Sequence, residues 1–228
     1  DIQEEIRELV EMYLNQGNSV ITDAATPKKI VIEIYAESTP NPNTMKFVSN
    51  RPILDTNATI EYSDPDQTSE APLAAAIFNF PFVSNLFFAP NFITISKNEL
   101  VEWDDVALEL REFIQEKLNG LESFFNHEIK ENSNVSATNS LDEQFVEIKP
   151  QNAIEEKIVS VLEDYIMPAV ANDGGAINFK SFENGVVTVI MRGACSGCPS
   201  STVTLKNGVE TLMKQMVPEV TEVVTEDL

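Results

Sequence analysis

The spacing of apolar residues predicts an α+β fold: two small α+β domains joined by a flexible polar linker. Three observations lead there. Runs of strand length and helical periodicities alternate on both sides of one polar stretch. That stretch, Lys130–Ser140, is composed almost wholly of small polar and charged residues and has little to bury. Asn184-Gly185, set between two alternating segments, is a strong hairpin signal that matches a type I′ turn. The chain accordingly divides into an N-terminal helical extension (1–29), an α+β domain (30–119), a linker (120–150) and a C-terminal domain (151–228) in the order helix–hairpin–helix–strand.

Each element has a local reason. Ile2, Ile6, Leu9 and Tyr13 form one stripe among acidic residues, so 1–16 reads as a surface helix. Gly17, Asn18 and Pro27 break it. Ile30–Ala36 is rich in β-branched residues and reads as a strand. Thr39-Pro40-Asn41-Pro42-Asn43-Thr44 must turn, because each proline fixes its own φ and pushes the preceding residue out of the helical region. Short strands are predicted at Met45–Val48, Thr59–Tyr62 and Phe92–Ser96, with a helix through Leu73–Asn79. Phe78, Phe80, Phe82, Phe87, Phe88 and Phe92 crowd one segment, which points to core packing. Asp104 is expected to cap a helix running to Leu118, with Val106, Leu110, Phe113 and Leu118 near one face.

In the C-terminal domain Ile154, Ile158, Val161, Leu162 and Tyr165 define an amphipathic helix that Pro168 should kink or end. Asp173-Gly174-Gly175 supplies the turn into a strand at Ile177–Phe182. Val186–Met191 is the return strand. A further helix opens at Pro199, with Leu205, Val209, Leu212 and Met216 on one face, and Pro218 stops it. Val220–Val224 provides a third strand.

Composition excludes several function classes. With 37 acidic and 15 basic residues the formal net charge is −22. Neither nucleic acid nor an anionic membrane surface suits such a charge. No apolar run approaches the roughly 18 residues of a membrane span. Asp1–Glu11 is acidic and has no apolar segment, so it reads as neither signal nor transit peptide, and a cytoplasmic setting is expected.

The chemistry concentrates in Cys195-Ser196-Gly197-Cys198, which holds both cysteines of the chain. Two cysteines do not make a disulfide scaffold, so the spacing reads as metal-binding or redox-active. Pro199 suits a first helical turn and places Cys198 at or near the helix N-terminus. There the macrodipole and unpaired N–H groups favour a thiolate. A thioredoxin-like site also follows a strand and opens a helix, but only about 30 residues remain after Cys198 to complete such a fold. Zinc and iron–sulfur sites want four ligands. One chain offers two thiolates and the remote His127, which reads as a solvated side chain. Two chains, each donating one cysteine pair across a two-fold axis, complete the set. By composition, zinc and a cluster fit equally, and no other convincing catalytic constellation is present.

Gly193-Ala194-Cys195-Ser196-Gly197-Cys198-Pro199-Ser200-Ser201, followed by Thr204-Leu205-Lys206-Asn207-Gly208-Val209-Glu210, resembles the C-terminal domain of NifU-like (Nfu-type) iron–sulfur proteins. Ile166-Met167-Pro168, Asp173-Gly174-Gly175 and Pro218-Glu219-Val220 fit the same pattern. Thr39–Phe47, Val83–Phe88 and Phe92–Lys97 resemble the Nfu N-terminal domain. The resemblance implies a non-enzymatic carrier: a homodimer that bridges a [4Fe–4S] cluster, with [2Fe–2S] as the other form, through Cys195 and Cys198 of each chain. It also implies upstream cluster donors and apo-proteins that receive the cluster. The alternatives are a zinc-bridged interaction module and a thiol–disulfide oxidoreductase. The cysteine-bearing scaffold domain of full-length NifU has no counterpart here, which speaks against building clusters from iron and sulfide.

Overall fold

The computed structural model describes residues 31–54, 58–120, 150–196 and 199–226, together with residues 4 and 7, and the side chains of all of these except 199–204. Residues 1–31 and 32–228 fall into separate units. Of the first, Glu4 and Arg7 are helical and exposed, and the apolar stripe expected beside them lies outside the described residues. So do most of the linker and His127.

The second unit is a mixed α+β structure with two sheets. Its N-terminal half carries β1 (Ile34–Ser38), β2 (Thr44–Ser49), β3 (Ile60–Tyr62), a 3₁₀ turn at Pro65–Thr68, α1 (Pro72–Ile77), β4 (Val83–Ala89), β5 (Phe92–Lys97) and α2 (Trp103–Gly120). The five strands are antiparallel in the order β1-β2-β5-β4-β3. One face of this sheet and the two helices enclose a core that includes Phe47, Leu86, Phe88, Ile93, Ile95, Leu110 and Ile114.

The first strand begins later than its β-branched run suggests. Ile32 gives its N–H and C=O to the Asn119 side chain at 2.9 Å each, and the Ile34 N–H goes to Gln115. These backbone groups are satisfied by α2 rather than by the sheet ladder. The turn after β1 is held by the Asn41 side chain, which accepts from the Asn43 N–H at 3.0 Å, and by the Thr44 N–H on the Asn41 carbonyl at 3.0 Å. That is the Asx geometry favoured where prolines exclude a helix. One expectation fails here. Asp104 lies inside the first turn of α2, not at its cap, and serves the helix dipole instead. The capped turn is at Asp64, whose carboxylate accepts from the Asp66 N–H while Gln67 reaches back to the Asp64 N–H.

Strand β4 has no counterpart among the predicted strands. Leu86–Ala89 and Phe92–Ile95 are buried without interruption, because the sheet is covered on both faces. A strand buried on both sides loses the alternation that betrays it in sequence. The second face is covered by the C-terminal half, across a small apolar cluster of Phe87, Ala89 and Phe92 with Val48, Ala171 and Ala176.

The C-terminal half comprises α3 (Ala153–Val161), a π-helical turn at Leu162–Ile166, α4 (Met167–Asn172), β6 (Gly175–Glu183), β7 (Val186–Gly193), α5 (Pro199–Met216) and β8 (Glu222–Glu226). Asn152 caps α3 by accepting from the N–H groups of Ile154 and Glu155, both at 3.0 Å. Pro168 does not end the helix. The π turn precedes it and absorbs the break, and α4 continues to Asn172. The wider turn also shifts the helical phase by one residue. Ile166 is buried and Tyr165 is 56% exposed, the reverse of the predicted stripe.

The hairpin forms as expected: Asn184 and Gly185 have φ of 50° and 86°, both positive as a type I′ turn requires. β8 pairs parallel to β7 after the crossover through α5. On α5 the inward face is Val209 and Met213, continued by Val217, rather than Met216, which is 37% exposed. No helix among the described residues is long and apolar enough to cross a membrane.

Candidate functional site

The loop after β7 carries Cys195. Gly193 adopts φ 65°, a left-handed conformation that reverses the strand direction. The Ser196 N–H and Oγ then both donate to the Gly193 carbonyl, at 3.1 and 2.9 Å, and close a tight turn around Cys195. The Ala194 N–H donates to the Gly174 carbonyl at 3.1 Å, which ties the loop to the turn that opens β6. Gly175 must be glycine here. A Cβ on it would lie 2.6 Å from the Cys195 sulfur and 2.7 Å from the Arg192 carbonyl.

Cys195 is 6% exposed and belongs to the C-terminal apolar core. It lines a cavity of about 590 Å³ with Pro40, Tyr165, Ala169, Asp173, Leu205 and Leu212, among others. Burial pushes its thiol up to about 11, and the negative charge of Asp173 acts in the same direction. At Cys195, burial and the Asp173 charge thus both disfavour the ionised form. Cys198, where the helix terminus was expected to favour a thiolate, lies outside the described residues, as does Gly197. The helix that begins at Pro199 is present.

The surroundings of the loop come largely from the N-terminal half, and sequence reasoning did not find them. Lys46, Thr94, Phe87 and Glu61 stand opposite one another on four adjacent strands, and so form a single row across the sheet. Each faces the backbone that holds Cys195. Lys46 Nζ donates to the Asn172 carbonyl at 3.1 Å, and Thr94 Oγ1 donates to the Gly174 carbonyl at 2.6 Å. The Phe87 ring packs so closely on Gly193 that a Cβ there would meet it at 2.8 Å. Glu61 Oε1 accepts from the Gly193 N–H at 3.4 Å. Asn41, 4% exposed, adds a bond from Nδ2 to the Ala194 carbonyl at 3.2 Å. Burial raises the Glu61 carboxyl above its ordinary range, opposed by the Gly193 N–H, the Arg192 guanidinium and Asn85. The alternation was the available signal: the polar Thr44 and Lys46 share a strand face with Val48, opposite the core-facing Phe47, and both are buried.

Two family models match the chain. Residues 34–120 match the N-terminal domain of the scaffold protein Nfu/NifU, and residues 158–224 match the NifU-like domain. The human protein named NFU1 iron-sulfur cluster scaffold homolog, mitochondrial, is 32% identical over 192 residues, covering 82% of this chain and 69% of that one. The chain belongs to the Nfu/NifU scaffold family. Its Drosophila persimilis relative of the same name is 37% identical over 191 residues, and the chain spans 64% of that protein's length. A solution structure of a NifU-like protein from Saccharomyces cerevisiae is similar at 24% identity with a TM-score of 0.40, covering 49% of this chain and 98% of that one. Both Nfu relatives are named mitochondrial, which overturns the cytoplasmic expectation. That expectation rested on the acidic character of Asp1–Glu11, which is not itself an address.

Proposed function

We propose that this Nfu/NifU-family chain is a carrier that binds a [4Fe–4S] cluster between two copies of itself and passes it to apo-proteins. Cys195 and Cys198 of each copy are the ligands. The observation that carries the reading is the placement of Cys195. It sits in a family-matched segment, on a tight turn beside a cavity, and among the described residues no group of three or more His, Cys, Asp or Glu could hold a metal. The chain holds only two cysteines, so a cluster of four irons needs a second sulfur pair.

Transfer requires no general base or nucleophile. A client thiolate forms a bond to iron as the bond to the carrier sulfur breaks, and iron and sulfide keep their oxidation states. The released Cys195 takes up a proton, which its buried setting favours.

Anaerobic reconstitution with iron and sulfide tests this. The expected product is a brown dimer with about four irons per pair of chains, absent from Cys195→Ala. A colourless monomer refutes the reading. A colourless dimer containing only zinc replaces it with a zinc-bridged module.

A further inference from the structure

The row Lys46–Thr94–Phe87–Glu61 and Asn41 do more than join two halves. Their contacts converge on two short backbone stretches, Asn172–Gly174 and Gly193–Ala194, the second leading into Cys195 and the first bonded to it through Gly174. Pro40, beside Asn41, lines the same cavity as the Cys195 thiol. Thr94 is wholly buried in this contact, and Lys46 is 7% exposed. A sheet face whose buried polar side chains spend their hydrogen bonds on another domain's loop backbone is shaped for that loop, not for generic packing.

We infer that the N-terminal half is a latch on the carrier loop: docked, it covers Cys195, and two copies can share a cluster only after the row 46–94–87–61 and Asn41 let go. The inference rests on the cluster-carrier reading and adds its regulation. The geometry explains why release is feasible. Each half has its own apolar core, Phe47 and Ile93 among one set and Val189 and Met213 among the other. The cluster between them is small, with Phe87, Ala89 and Phe92 as its buried members. Parting the halves uncovers that small cluster and withdraws Pro40 and Asn41 from beside the Cys195 loop. A client or donor that binds the freed face of the N-terminal sheet would hold the latch open, which couples delivery to recognition.

The test is the rate at which iodoacetamide alkylates Cys195 in the full chain carrying Cys198→Ser, without iron. Thr94→Val and Asn41→Ala each remove one hydrogen bond of the latch and should speed labelling about 5- to 10-fold. Together they should speed it by roughly the product of the two. Asn119→Ala is the control. It removes bonds that hold Ile32 within the N-terminal half, far along the chain from the row, and should leave the rate within about twofold of the parent. In the chain with both cysteines, Thr94→Val should also accelerate cluster loading by a similar factor, with the final iron content unchanged. Labelling of the parent as fast as that of the chain unfolded in guanidinium overturns the latch. So does labelling that ignores Thr94→Val and Asn41→Ala, or that responds equally to Asn119→Ala. Failure of every form to take up a cluster would sink the carrier reading instead, and the labelling rates would still decide whether Cys195 is covered.

Discussion

Gly175→Ala adds one methyl group at the point where β6 meets the Cys195 loop. Its Cβ would stand 2.6 Å from the Cys195 sulfur and 2.7 Å from the Arg192 carbonyl, distances that side chains do not tolerate. Neither obstacle yields easily. The carbonyl belongs to the backbone of β7, which is paired with β6 on the facing strand. The sulfur sits in a turn closed by Ser196. Forcing extra carbon into a packed interior costs about 1–3 kcal/mol, and the upper half of that range applies where backbone must move. Gly208→Ala is the internal reference. Gly208 lies within α5 with nothing within 4 Å of an added Cβ, so the substitution should stabilise the helix by about 0.5–1 kcal/mol. Urea unfolding followed by far-ultraviolet circular dichroism measures both. The two variants should move the midpoint in opposite directions, and Gly175→Ala should also alter Cys195 alkylation. Equal stability of Gly175→Ala and the parent would refute the packing described for the loop.

Three more outcomes are expected. The Cys195 thiol is raised from an ordinary value of 9.0 to about 11. Below pH 9 both folded and unfolded chains keep the proton. Between pH 9 and 11 the unfolded chain loses it while the folded chain retains it, so folding stability should fall as pH rises, by up to roughly 2–3 kcal/mol. Cys195→Ser should flatten that limb in alkaline urea titrations, and an unchanged slope would exclude the buried thiol as its cause. Asn152→Ala removes the side chain that caps α3 and should cost about 1 kcal/mol, read from the same unfolding curves. Met213→Ala empties a wholly buried position on α5 and should cost about 2–5 kcal/mol; a loss below 0.5 kcal/mol, the ordinary range for a surface site, would place Met213 on the surface.

Much of the fold was legible because local chemistry is strong where it speaks. Asn184-Gly185 could only be a tight hairpin turn, and the flanking alternation set the faces of β6 and β7. The prolines of Thr39–Thr44 could not continue a helix. The π turn was not legible, since it arises where Pro168 withholds an N–H and the preceding turn widens to compensate, and it moved Tyr165 out and Ile166 in. β4 was hidden for another reason: both of its faces are covered, so its apolar run has no period to read.

The sequence by itself determined where the chemistry lies. Cysteine is the one residue type here that binds iron or zinc strongly as a thiolate, and the chain places its only two within four residues of each other. Tertiary structure decided the state of that chemistry. Whether a thiol is ionised and reachable depends on desolvation and on neighbours distant in sequence: Asn41 reaches Ala194 of the Cys195 loop from 153 residues away, and Thr94 reaches Gly174, bonded to that loop, from 80. Spacing along a chain carries no record of such contacts, because they exist only once two separately folded cores have met.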